Sequence, residues 1–214
     1  ANLQDFTSTQ FFAFEQGIEF WKAAQELIHP DIEVRRSGFE QLTALGAASQ
    51  SPLLAYLLVS RLAEPDLPLR ARIVQQISRL LNLPFNGNQA VNEVLYFLKT
   101  NLSQLRRNQI VSLLDLAESD ADTYSHVCKI ISQCSHAGDN LAEIVADRQS
   151  PVPIRQLAAR LIGDIGYLCA ISTLERIETR IEARRRSSAM GIERLNGDTA
   201  LLPDIREALI KLKN

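Results

Sequence analysis

Along this chain an arginine that follows an apolar residue repeatedly opens the same helical pattern. From Ile154-Arg155, the positions 4, 5, 8, 11 and 12 beyond Ile154 hold Ala158, Ala159, Ile162, Ile165 and Gly166. From Val34-Arg35 the same offsets hold Gly38, Phe39, Leu42, Leu45 and Gly46. From Leu69-Arg70 they hold Ile73, Val74, Ile77, Leu80 and Leu81, and from Leu105-Arg106 they hold Gln109, Ile110, Leu113, Leu116 and Ala117. A fifth register at Arg184-Arg185 holds Ser188, Ala189, Ile192, Leu195 and Asn196. Successive anchors are 35, 36, 49 and 30 residues apart. Steps of four and three return to one face of a helix, so each register is a helix with one apolar side. Recurrence at this length marks stacked helix pairs, each covering the apolar face of the next.

The fullest copy is Ser150 to Leu174. Pro151 and Pro153 flank Val152 at its start, where a missing amide costs no helical hydrogen bond. Gly166 follows the last periodic residue, as helix stops do, and a second apolar run begins at Leu168. The other copies follow in order. Repeat one has helix A over Asp31–Gly46 and helix B from Ser51-Pro52 to about Ala63. In repeat two, helix A runs to about Leu81 and helix B over Gln89–Lys99, after a loop with an Asn86-Gly87 turn signal. Repeat three places its helices at 103–117 and 121–134. A short extra helix, Gly138 to Arg148, accounts for the 49-residue step. Repeat five has helices at 183–195 and 199–213, the second with a polar outer face.

Residues 1–28 precede the first register. They hold six of the thirteen aromatic side chains, Phe6, Phe11, Phe12, Phe14, Phe20 and Trp21. An open stack exposes core at its end, so a helix from about Gln10 to Ile28, capped by Ser8 or Thr9, is expected to cover the first repeat. The alternative use of these aromatics is a ligand or dimer surface.

Leu, Ile and Ala dominate the 46% hydrophobic residues, and no clean alternating Val/Thr/Tyr run suggests a strand. No stretch approaches eighteen apolar residues and no signal segment opens the chain, so no membrane contact is expected. Three cysteines point to reduced thiols and a cytoplasmic location. The net charge of −2 argues against nucleic acid as a partner. Charge alternates in blocks: 4 basic and 9 acidic groups over 1–66, 6 and 2 over 67–117, 2 and 6 over 118–150, 11 and 8 over 151–214.

The stretches "DIEVRR" at 31–36, "PDLPLR" at 65–70, "PVPIR" at 151–155 and "RLNGD" at 194–198 resemble HEAT repeats. The copies from Ile154 onward are most similar to the shorter repeats of the phycobilin lyase type. The resemblance covers about residues 30 to 214. It implies an all-α fold, a right-handed α-α superhelix (solenoid) of about five HEAT-like helix pairs with an extra N-terminal capping helix. The whole chain would be a single domain, 1–28 as cap and 29–214 as repeats. It also implies that the B helices line the concave surface, where Arg61, Tyr96, Tyr124, Arg176 and Arg180 are the polar and aromatic candidates. In such families the arginine at each anchor reaches acidic or carbonyl groups at the neighbouring turn. Arg35, Arg70, Arg106, Arg155 and Arg185 are therefore expected to form a structural ladder rather than a phosphate site, with Asp31 and Asp66 as local partners.

Two other clusters invite chemistry. His126, Cys128, Cys134 and His136 look like a metal set, but on one helix Cys128 and Cys134 point about 120° apart at roughly 100° per residue. Only a helix ending near Ser132 would let Cys134 and His136 fold back. No metal or other cofactor is therefore expected. Arg176, Arg180 and Arg184 share a helix face at four-residue steps, offset by Glu175, Glu178 and Glu182. They read as an ion-paired helix end or, alternatively, as an anion site for a phosphorylated or acidic partner.

No G-x-S-x-G elbow, phosphate-binding glycine loop or H-E-x-x-H occurs in the chain. The expected function is a non-enzymatic scaffold or adaptor that binds a protein partner along the helix-B face, with Arg61, Tyr96, Tyr124, Arg176, Arg180 and Arg184 as binding residues. The alternatives are a tetrapyrrole (phycobilin) lyase-like, chromophore-handling protein and, less favoured by the acidic blocks, a HEAT-like nucleic-acid repair protein.

Overall fold

The computed structural model of the chain describes the backbone of residues 8–84, 89–189 and 197–214, and side chains over 17–84, 90–186 and 198–214. Among these residues the fold is all-helical, with no strand. In order the helices are α1 (Ser8–Leu27), α2 (Ile32–Ala44), α3 (Pro52–Ser60), α4 (Leu67–Leu80), α5 (Gln89–Leu102) and α6 (Arg107–Ser119). The second half holds α7 (Tyr124–Ile131), α8 (Ala137–Ala146), α9 (Val152–Ile165), α10 (Ile171–Ala189) and α11 (Leu202–Lys213). Short 3-10 turns lie at Ala47–Ser49, Ala121–Thr123, Leu168–Ala170 and Gly197–Leu201. Among the described residues, no helix is long and apolar enough to cross a membrane.

Local chemistry sets these boundaries. Asp31 caps α2 by accepting from the Glu33 amide at 2.9 Å, and Asp66 caps α4 by accepting from the Leu69 amide at 3.0 Å. Proline occupies the first turn of α3, α4, α9 and α11. Gly166 ends α9 at φ 88°, a left-handed conformation that only glycine adopts freely.

The last register departs from the expected helix at 183–195. The helix α10 runs unbroken from Ile171 to Ala189, so Arg184-Arg185 lie in its final turns and open no helix. No proline, glycine or cap interrupts 171–189, and Leu174, Ile177 and Ile181 stay buried in helical register. Ile192 and the rest of that register, 190–196, lie outside the described residues, as do the side chains of Phe6, Phe11, Phe12 and Phe14. The first of the two helices in repeat three also starts later than expected, at Arg107, with Arg106 as its cap residue.

The four other register positions are core: Leu42 is 4% exposed, and Ile77, Leu113 and Ile162 are fully buried. They belong to a connected apolar cluster that extends from Ala23 to Leu212. Packing joins elements close in the chain. α1 lies on α2, α3 on α5, α4 on α6 and α7, α8 on α9, and α9 on α11. The pairing of α6 with α9 reaches across α7 and α8. Gly38 allows the α1–α2 contact, because a Cβ there would lie 2.7 Å from the Ala23 carbonyl and the Leu27 amide nitrogen.

Three of the five anchor arginines are buried at the joints between helices. Arg35 donates to the His29 and Pro30 carbonyls at 3.0 and 2.7 Å and to Glu64. Arg70 donates to the Glu64 carbonyl at 2.6 Å, the Ser112 carbonyl at 2.7 Å and Asp115 at 3.1 Å. Arg155 donates to the Val145 carbonyl at 2.9 Å and to Asp198 at 2.6 Å. Arg106 and Arg185 are exposed and take no part in the ladder. The expected partners differ too. Asp31 and Asp66 face the helix amides they cap, and Asp66 pairs with Arg36 rather than Arg35.

Candidate functional site

A cleft of about 450 Å³ opens between α3, the end of α5 and the start of α6. One wall is Tyr56, Val59 and Ala63, from α3 and the turn after it. The other is polar: Asn101, Gln104, Arg106, Asn108 and Gln109. Local folding explains this wall. The α5 helix stops at Leu102, and Leu102 and Leu105 turn inward as core. The polar residues between and after them are left at the surface. The Gln109 side-chain oxygen accepts from the Arg106 amide at 2.9 Å, which fixes the first turn of α6. Asn101 donates back to the Phe97 carbonyl at 2.7 Å, so its side-chain nitrogen is engaged within α5.

The helices α3 and α5 also carry exposed apolar groups. Tyr56 and Phe97 meet edge to face, centroids 6.3 Å apart. Tyr96 is 72% exposed and Leu53 is 50% exposed on the same pair of helices. Arg106 is exposed and has no carboxylate partner among the described residues. None of the cleft's lining residues is His, Cys, Asp or Glu, so the wall offers hydrogen bonds and one cation but no general base.

The six residues expected to bind do not converge in this cleft. Tyr96 lies on α5 and is not among the cleft's lining residues. Arg61 is committed to Glu64 in an ion pair, as the three-residue step between them allows, and its Nε is buried without an acceptor among the described residues. Tyr124 on α7 donates to Asp164 on α9 at 2.6 Å, a helix-to-helix strut. Burial, then this bond to a carboxylate, pushes its hydroxyl pKa up. Asp164 also receives Lys211 of α11 at 2.8 Å. Burial would raise its pKa, but Lys211 and Tyr124 outweigh that and hold it low.

Arg176, Arg180 and Arg184 do share one edge of α10, but their expected neutralisation is absent. The α10 acids turn to the other side: Glu175 pairs with Lys213 at 2.8 Å, Glu178 with Arg206 at 2.8 Å, and Glu182 with Arg206. Arg176 and Arg180 are exposed and unpaired among the described residues, whereas Arg184 is half-buried, 3.6 Å from Asp198.

The His/Cys cluster behaves differently from a single helix. α7 ends at Ile131, as a fold-back would require. The four side chains still diverge: His126 Nδ1 is 2.9 Å from the Ser78 hydroxyl, Cys134 is buried in the core, and His136 is exposed. Among the described residues no three His, Cys, Asp or Glu side chains gather in a metal-binding group.

Sequence reasoning passed over the cleft itself. Its signal was the amide-rich run Asn101–Asn108, "NLSQLRRN", set between two apolar helices, in which Arg106 was read as a ladder residue. Comparison with protein-family models, characterised proteins and solved structures finds no match for this chain.

Proposed function

We propose that this chain is a non-enzymatic scaffold of HEAT-like design that binds an extended segment of a protein partner in the α3–α5–α6 cleft. On this reading the helices form a right-handed superhelical stack with α1 as its N-terminal cap. Neighbour-to-neighbour packing and the buried Arg35, Arg70 and Arg155 joints support that reading. The fifth pair would be irregular, because α10 is one long helix where two were expected.

The observation that carries the proposal is the chemistry of the cleft walls. An extended peptide presents amide and carbonyl groups at about 3.3 Å per residue, and its side chains alternate. Gln104 and Asn108 each offer a donor and an acceptor to such a backbone. Tyr56 and Phe97 offer apolar contact to an alternate side chain, and Arg106 offers a bidentate donor to a carboxylate. A cleft with these groups and no general base suits recognition better than catalysis.

The test is a selection from a random-peptide display library against the folded chain. Enriched peptides should share an acidic group close to an apolar side chain. Their affinity should fall at least about tenfold in Tyr56→Ala and in Arg106→Glu, with melting temperatures unchanged. Peptides that bind both variants as tightly as the unmodified chain would place recognition elsewhere.

A further inference from the structure

A second site, independent of the cleft, surrounds Asp198. This residue is 8% exposed at the start of the 3-10 turn Gly197–Leu201. Three arginines from three segments converge on its carboxylate. Arg155 of α9 donates to Oδ1 at 2.6 Å. Arg148, from the α8–α9 loop, places Nε 3.3 Å from Oδ2. Arg184 of α10 places Nη1 3.6 Å from the same oxygen, too far for a hydrogen bond.

One carboxylate thus faces three guanidiniums, a local excess of two positive charges. Among the described residues, neighbouring acids do not offset it. Asp147 feels Arg155, but its oxygens accept from Arg107 at 3.0 Å, the Gln149 amide at 3.0 Å and Ser150 at 3.1 Å. Glu182 faces Arg206 and Arg186. Two donors are also left over: Arg155 Nη2 and Arg184 Nη1 are buried without an acceptor among the described residues. Arg155 as a whole is 2% exposed. Buried guanidinium donors normally have acceptors, so both orphans point to a group that supplies them.

We propose that Arg148, Arg155 and Arg184 form a binding site for a phosphate monoester dianion carried on a peptide side chain. A dianion matches the excess charge. A tetrahedral group with three terminal oxygens matches donors arriving from three directions. Asp198 is then the resident carboxylate that holds the arginines in place. Arg180 and Arg176 extend the positive edge along α10, one and two steps of four residues before Arg184, over about 12 Å of helix. A phosphorylated segment with acidic residues beside the phosphate would lie along that edge.

The test uses the full chain and three probes: a phosphoserine peptide with flanking acidic residues, its unphosphorylated form, and inorganic phosphate, each titrated at matched ionic strength in chloride. The phosphopeptide is expected to bind at least about tenfold tighter than its unphosphorylated form. Arg184→Gln, which leaves the Arg155–Asp198 pair intact, should weaken phosphopeptide and phosphate alike by at least about tenfold. Arg176→Ala with Arg180→Ala should weaken the peptide and leave inorganic phosphate unchanged. Asp198→Asn, if it folds, should tighten phosphate binding; if it does not fold, Arg184→Gln decides. Equal affinity for the two peptides, or affinity unaffected by Arg184→Gln, would overturn the proposal. Binding of phosphate but not of the phosphopeptide would overturn its assignment to a peptide.

Discussion

Arg35 and Glu64, 29 residues apart, form a buried fork in which Nε and Nη2 of the arginine both donate to one carboxylate oxygen, at 3.2 and 2.8 Å. Glu64 also accepts from Arg61, and its backbone carbonyl accepts from Arg70. One residue therefore ties together α2, the end of α3 and the start of α4. Removing it leaves the buried Arg35 guanidinium with carbonyl partners only. Glu64→Ala should destabilise the chain by about 3–5 kcal/mol, read from the shift in a urea unfolding midpoint. A loss below about 1 kcal/mol would show that the fork is dispensable.

The same residue should imprint a pH dependence. Burial would raise the Glu64 pKa, but hydrogen bonds from Arg35 and Arg61 outweigh it and hold the carboxyl below its ordinary 4.5. The unfolded chain then takes up the proton first as pH falls. The stabilisation is full above about pH 5 and drains away as pH drops below 4.5 and through the folded value. The stability gap between the unmodified chain and Glu64→Gln should narrow between pH 5 and 3 and stay flat from 6 to 8. A gap that is constant down to pH 3 would contradict this.

Two glycines should respond to alanine with opposite signs. At Gly38 a Cβ would meet backbone of α1 at 2.7 Å, so Gly38→Ala must separate α1 from α2, at about 1–3 kcal/mol. At Gly17, inside α1, such a Cβ would meet no atom within 4 Å beyond its own helix backbone among the described residues, and Gly17→Ala should stabilise by about 0.5–1 kcal/mol through helix propensity. Thermal melts of the two variants check the pair. Destabilisation of similar size at both would argue against a close α1–α2 contact.

Ala23, Ala24 and Leu27 of α1 are buried, and the buried Phe39 of α2 belongs to the same apolar cluster. Deleting residues 1–28 should uncover Phe39 and Leu42 and produce aggregation or a loss of cooperative melting. A deletion variant that stays monomeric with an unchanged melting curve would deny α1 a capping role.

Arg176 and Arg180 are exposed and make no ion pair or hydrogen bond among the described residues. Replacing both by alanine should change stability by less than about 1 kcal/mol. Arg206→Ala should lower stability measurably at low salt and lose that effect in high salt, because Arg206 bridges Glu178 and Glu182 at the surface. Denaturation at two salt concentrations separates the cases, and a larger loss from the Arg176/Arg180 pair would reverse the assignment.

Local features were legible in the chain itself. The four-and-three spacing of Leu42, Ile77, Leu113 and Ile162 identified core faces, because helical periodicity decides which side chains turn inward. Pro52, Pro151, Pro153 and Gly166 marked helix ends, since such signals act within three or four residues, whereas the capping roles of Asp31 and Asp66, expected as arginine partners, emerged only in the structure. The break in register at Arg184-Arg185 was not legible. A charged run that satisfies the offsets at a helix start satisfies them equally well inside a longer helix.

Helix class, most helix boundaries and the apolar face of each helix are thus determined by the sequence alone, through interactions that span at most a turn or two. Partner choice is not. Glu64 takes Arg35 from 29 residues away, Asp198 gathers Arg148, Arg155 and Arg184, and Glu175 and Glu178 of α10 take Lys213 and Arg206 instead of their own helix's arginines. Every one of these acids had a nearer arginine in the chain or on its own helix. Only the docking of one helix against another set which guanidinium was desolvated beside it, and so which arginines were left free at the surface.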